Sequence, residues 1–165
     1  MKKIGVVFFV IVAICVFFFL FRGEKVDLSG NWYFLEADSI YNEVLITDSS
    51  FFYYSDLTGL LGPYQYQLRG DLLEFYVVMA GVARKMEYNP HLKLYARDSF
   101  KLEFNEQVRL FKRIEKSSLT INSVIMKEVE LERFLRSFLR RRNECLLRAG
   151  YKVDTVIVIP VEEFL

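Results

Sequence analysis

An uninterrupted apolar run from Ile4 to Phe21 constrains this chain more than any other feature. Eighteen residues of α-helix span about 27 Å, close to the thickness of a bilayer's hydrocarbon core. A helix buried in a soluble protein would carry a polar face, and this run has none. We therefore predict an N-terminal transmembrane anchor within residues 1–23 and one domain over residues 24–165.

Three fates of the apolar run remain open: an uncleaved anchor, a cleaved signal peptide, and a lipoprotein in which Cys15 carries the lipid. No small-x-small cleavage site follows Phe21, which favours the anchor. Residues 12–15 resemble a lipobox, although Ile14 stands where a small residue is expected. Lys2 and Lys3 precede the run, so the positive-inside rule keeps the N-terminus in the cytoplasm. The domain is then expected in the periplasm or outside the cell, and the short leader is typical of a bacterial envelope protein.

The domain begins with short runs in which apolar and polar residues alternate, the pattern of half-buried strands. Turn-forming residues such as Gly62-Pro63 and Gly70-Asp71 separate the runs at intervals of about ten residues, which favours an antiparallel meander. The predicted strands are 31–35, 43–47, 51–54, 64–69, 72–78, 82–88, 92–97, 100–104 and 107–114.

The pattern then changes to a helical period. Residues 124–149 are predicted to form one long helix that ends at Gly150, and residues 155–159 a short final strand that stops at Pro160. Basic residues follow acidic ones along this helix, as the helix dipole favours, and Arg140 to Arg142 are expected to form a solvated face.

Charge is shared unevenly between the two parts of the domain. Residues 24–108 hold 7 Lys or Arg against 13 Asp or Glu, whereas residues 109–152 hold 12 against 5. These segments can attract one another within one molecule, so the asymmetry does not require an external partner.

The segment Leu28-Ser29-Gly30-Asn31-Trp32 at the first predicted strand carries a Gly-x-Trp motif. Together with the meander, the helix and the final strand, it resembles the lipocalin-like (calycin) domains. This resemblance implies a mainly β fold, in which the meander closes as a small barrel of about eight strands. It also implies that Arg109 or Arg113, late in the last barrel strand, packs over Trp32 as a structural pair.

If Trp32 points into the barrel, strand alternation sends a set of mostly apolar residues inward with it. The set contains Phe34, Tyr64, Tyr66, Leu73, Phe75, Val77, Leu94, Leu102, Phe104, Val108 and Leu110. A barrel of this size is either filled by such side chains or holds one small apolar ligand. The candidate ligand-binding residues are Tyr64, Tyr66, Phe75, Phe104 and Phe34.

Two functions therefore remain: a membrane-tethered, non-enzymatic module that binds a small hydrophobic ligand, and a solid barrel that serves as a structural or protein-interaction module of the envelope. Catalysis is not expected, because His91 is the lone histidine and no motif supplies it with a nucleophile or an orienting carboxylate. No cofactor, metal or nucleic-acid partner is expected either. The apolar run over residues 4–21 predicts that the membrane itself is one partner of this chain.

Overall fold

A computed structural model describes residues 27–96, 98–115 and 119–153. Within these ranges the chain forms nine strands and two helices. They are β1 (Gly30–Leu35), β2 (Tyr41–Ile46), β3 (Ser50–Ser55), β4 (Gly59–Arg69), β5 (Leu72–Met79), β6 (Val82–Lys85), β7 (His91–Ala96), β8 (Ser99–Phe104), β9 (Gln107–Arg113), α1 (Ile121–Ile125) and α2 (Leu131–Arg148).

Two predicted elements lie outside the described residues: the transmembrane helix over residues 4–21 and the final strand over residues 155–159. In the ranges that the structure describes, no helix combines the length and the apolar character needed to cross a bilayer.

The strands form a closed antiparallel barrel, which confirms the predicted meander. Neighbouring strands pair in the order β4-β3-β2-β1-β9-β8-β7-β5, and β4 also pairs with β5, so that eight strands complete the ring. The ninth, β6, pairs with the end of β5 as a hairpin, and β7 meets β5 at the single pair Leu72 and His91. This architecture, with a helix after the last strand, is consistent with a lipocalin-like fold.

Alternate turns of an antiparallel meander lie at the same end of the barrel. The β1–β2, β3–β4, β5–β6 and β8–β9 turns therefore share one end, which we call the upper end. The chain enters β1 at the lower end, where the indole Nε1 of Trp32 donates a hydrogen bond of 2.8 Å to the carbonyl oxygen of Leu28.

Aromatic side chains fill the lower half of the interior. The Phe100 ring stacks on the Phe111 ring at 4.6 Å between centroids, and its other neighbour is the Trp32 ring at 4.7 Å. Because Phe111 points inward, alternation turns Leu110 and Val108 to the outside, where they are 39% and 51% exposed. The expectation that these two residues face the interior was wrong.

The predicted helix over residues 124–149 is divided into α1 and α2. The amide of Glu128 donates to the carbonyl oxygen of Ser123, and the amide of Lys127 to that of Val124, which is the hydrogen-bond pattern that ends a helix. Lys127 takes a left-handed backbone conformation with φ of 56°. This turn lets Ile121 of α1 and Phe134 of α2 enter the same apolar cluster.

Helix α2 packs on the outer surface of the barrel, against β1, β2 and β3. Its Phe134 and Phe138 are 1% exposed and contact the Tyr54 ring at 5.0 and 4.8 Å between centroids. The surrounding cluster is completed by Tyr33, Leu35, Tyr41, Leu45, Phe52, Ile121, Val124, Ile125, Leu135, Leu139 and Cys145.

Two of the three consecutive arginines attach α2 to the sheet. Arg141 forms a bidentate ion pair with Glu43, with Nε–Oε1 at 2.7 Å and Nη2–Oε2 at 2.9 Å, and Arg142 pairs with Asp56 at 2.5 Å. The solvated face expected for residues 140–142 is therefore limited to Arg140, which is exposed. As the charge asymmetry suggested, the basic segment is bound by acidic residues of the same molecule.

Candidate functional site

The upper half of the barrel interior contains a cavity of about 210 Å³. It extends from the aromatic packing around Phe111 towards the upper end, where Leu61 and Arg109 line it. Its lining is almost entirely apolar or aromatic and comes from six strands and the β6–β7 loop: Phe34, Phe51, Tyr53, Leu61, Tyr64, Phe75, Met86, Tyr88, Leu102, Arg109 and Phe111.

The structure brings together three of the five predicted ligand-binding residues. Phe34, Tyr64 and Phe75 line the cavity. Tyr66 does not, because its hydroxyl donates a hydrogen bond of 2.7 Å to the carbonyl oxygen of Thr47. Phe104 is also outside the lining, and its ring packs edge-on against Tyr88 at 4.8 Å.

Sequence reasoning missed several lining residues. Phe51 and Tyr53 are separated by one residue on β3, so the two-residue strand period was a signal that could have placed both on the inner face. Met86 and Tyr88 lie in the loop between β6 and β7, where no regular period applies. Their place in the lining depends on how this loop folds over the open seam between β5 and β7.

One charged group borders the cavity. The guanidinium of Arg109 pairs with the Glu36 carboxylate at 3.0 Å and donates to the Tyr88 hydroxyl at 3.2 Å. Its carbon lies 5.6 Å from the Phe34 ring centroid and 5.7 Å from the Tyr88 centroid, within the range of cation–π attraction. Burial raises the pKa of the Tyr88 phenol, so this hydroxyl remains protonated and polar without charge. The cavity thus offers an apolar volume with one polar edge.

Trp32 and Arg113 pack together at the lower end of the barrel, so that Arg113, one of the two arginines considered, is the one that lies over the indole. The Arg113 guanidinium lies over the Trp32 ring at 4.1 Å, and its Nη1 donates to the carbonyl oxygen of Ser29 at 3.1 Å. Gly30 has φ of 133°, and a Cβ there would meet Arg113 Nη1 at 2.5 Å. The glycine of the Gly-x-Trp motif therefore provides the space in which the arginine reaches the indole.

In the part of the chain that the structure describes, no three His, Cys, Asp or Glu side chains form a group suited to a metal ion. His91 lies 3.1 Å from the Asp71 carboxylate on an exposed surface, away from the cavity.

No protein-family model, curated protein or solved structure matches this chain.

Proposed function

We propose that this protein is a membrane-tethered, lipocalin-like module whose barrel holds a small apolar molecule. The main support for this proposal is the cavity of about 210 Å³ in the upper half of the barrel interior, which has an apolar and aromatic lining. An apolar cavity of about 150 Å³ is enough to bind benzene, so this one suits a ligand on the order of ten non-hydrogen atoms. The volume is below the range of about 300 Å³ and more that is typical of pockets for drug-sized ligands, which favours a ligand smaller than a full-length lipid.

The polar edge at Arg109 adds a preference within this class. Its guanidinium already pairs with Glu36 and Tyr88, so it is held in position beside the cavity. A ligand with an apolar body and a single hydrogen-bond acceptor would satisfy both the lining and this edge. The proposal includes no catalysis and no cofactor.

The tether in this proposal is the apolar run from Ile4 to Phe21, with its N-terminus in the cytoplasm and the barrel in the periplasm or outside the cell. A reporter fused after Leu165 tests this arrangement. Activity of a periplasmic reporter at that position supports it, and activity of a cytosolic reporter contradicts it.

Native mass spectrometry of the detergent-extracted full chain tests ligand binding. We expect a bound mass that persists at low collision energy in the wild type. Leu61→Trp places a large side chain in the cavity and should remove that mass. Leu60→Trp is the matched control, because the neighbouring Leu60 is 48% exposed and does not line the cavity. An empty wild-type barrel, or equal ligand retention in both variants, would defeat the proposal.

The second candidate function is protein interaction through the upper end. Apolar side chains are exposed in the β3–β4 and β5–β6 hairpins that border it: Leu57, Leu60, Val78, Met79 and Val82, each 45% exposed or more. Exposed apolar groups of this kind mark interaction surfaces when they are contiguous. An empty barrel, combined with loss of envelope function in Met79→Asp and Val82→Asp, would favour this candidate over ligand binding.

A further inference from the structure

A groove of about 610 Å³ lies outside the barrel, between α2 and the outer faces of β1 and β9. Residues 140–149 form its helical wall, and Tyr33, Leu110 and Lys112 contribute to its sheet wall. Leu110 is a large apolar side chain that is 39% exposed there. Helix α2 therefore leaves part of the apolar outer surface of β9 uncovered.

The groove is also rich in positive charge. Lys112, Arg140 and Arg148 line it, and none of the three forms an ion pair with another described residue. Two carboxylates, those of Glu115 and Glu144, share the lining, so positive groups are in excess. An occupant that matches this surface is apolar along its length and carries several negative charges.

We propose that the groove is occupied by residues 154–165 of this same chain. Helix α2 ends beside the groove, because Arg148 and Ala149 line it, and the described chain continues from there to Val153. Residues 154–165 lie outside the described part, and they begin five residues after Ala149 in the sequence. Because the segment is covalently attached, its effective concentration at the groove exceeds that of a free ligand.

The composition of this segment matches both properties of the groove. Val156 to Ile159 are apolar without alternation, the pattern of an extended segment that is buried on two sides. The groove supplies two such sides, one from the helix and one from the sheet. Asp154, Glu162 and Glu163 supply three negative charges, equal in number to the unpaired cations.

The lengths also agree. Residues 155–159 in an extended conformation span about 16 Å, and residues 140–149 of the helical wall span about 14 Å. The apolar run is therefore long enough to cover the groove, which leaves the two glutamates beyond Pro160 at the far end, towards Arg140.

The rate at which the Cys145 thiol reacts with a maleimide measures whether the groove is covered, because Cys145 lines the groove. The full chain carrying Cys15→Ala, in mild detergent, has Cys145 as its sole thiol. Deletion of residues 154–165 should accelerate the reaction of Cys145 with a maleimide about ten-fold, since an uncovered site reacts without prior opening. A synthetic peptide with the sequence of residues 154–165 should slow the reaction again.

A charge-reversal series provides the second test, in chains of full length. Glu162→Arg combined with Glu163→Arg should accelerate labelling, and adding Arg140→Glu, at the end of the groove where the two glutamates are placed, should slow it again. Glu87→Arg with Glu106→Arg is the matched control, because both residues are exposed and neither lines the groove. The control should label at the wild-type rate.

Equal labelling rates with and without residues 154–165, in chains that both retain buried Trp32 fluorescence, would overturn the proposal. If the shortened chain unfolds, the charge-reversal series tests the proposal instead. In that series, a labelling rate of Cys145 that stays fast after the compensating substitution would refute the assignment of residues 154–165 to the groove. Protection of Cys145 that requires phosphatidylglycerol vesicles would assign the groove to a lipid headgroup instead. This inference does not depend on the ligand proposed for the barrel, so each can fail alone.

Discussion

The ion pair between Glu43 and Arg141 gives the sharpest test of how α2 is held on the barrel. The Glu43 side chain is fully buried, and that of Arg141 is 12% exposed. Glu43 accepts two hydrogen bonds from Arg141 and one of 3.0 Å from the Tyr41 hydroxyl. Removing one partner of a buried pair leaves the other charge without compensation, which costs about 3–5 kcal/mol. We therefore expect Arg141→Met to lower the free energy of unfolding by this amount at neutral pH.

The assay is urea unfolding of the full chain in mild detergent. The fluorescence of Trp32, which is the sole tryptophan and 2% exposed, reports on the barrel, and circular dichroism reports on the helix. The control is Arg136→Met on the same helix. Arg136 pairs with Glu132 at the surface and its side chain is 74% exposed, so its loss should cost at most about 0.5 kcal/mol.

The free energy of unfolding of Arg141→Met should also decrease as the pH rises. Burial raises the pKa of the Glu43 carboxyl, and Arg141 opposes this rise. Without Arg141 the folded pKa lies further above the unfolded value of about 4.3. The stability of Arg141→Met is then highest below the unfolded pKa and is lost as the pH rises through the folded pKa. Equal destabilisation by Arg141→Met and Arg136→Met, or a cost that does not change with pH, would refute this reasoning.

Four further predictions follow from other parts of the molecule. Arg113→Met should destabilise the barrel by about 2 kcal/mol because it removes the cation over Trp32, measured by urea unfolding. Gly30→Ala should cost about 1–3 kcal/mol in the same assay, because its φ of 133° strains any residue with a Cβ. Phe138→Ala should cost about 3–5 kcal/mol by leaving a cavity under α2, and a loss below about 1 kcal/mol would contradict this packing. Burial raises the pKa of the Cys145 thiol, so its alkylation rate should reach its midpoint at a higher pH than that of free cysteine.

Much of the barrel could be predicted from local patterns. Alternation along residues 64–69 and 72–78 identified β4 and β5, and the turn residues between them fixed the antiparallel order. Such patterns depend on neighbours in the chain, so a single sequence contains them. The inner face was harder to predict. On β9, Leu110 was expected inside, yet Phe111 took the interior position because its ring stacks on Phe100 of β8.

The residues that line the candidate cavity were likewise only partly predictable from local patterns. Phe34, Tyr64 and Phe75 followed from parity on regular strands, whereas Met86 and Tyr88 reach the cavity from an irregular loop. Tyr66 has the expected parity, but its hydroxyl hydrogen-bonds to the backbone at Thr47 instead of lining the cavity. A two-residue period indicates which side chains share a face of a strand. It does not indicate at which height along the barrel axis a cavity lies.

By itself, the sequence determined the strand-forming segments, their antiparallel order, the presence of a C-terminal helix and the apolar character of the N-terminal run. Tertiary structure alone decided the division of the helix at Lys127, the inward face of β9 and the pairing of Glu43 with Arg141, 98 residues apart. The physical reason is the range of the interactions. Propensity and periodicity act within a few residues, whereas barrel closure and buried ion pairs depend on which distant segments share the same space.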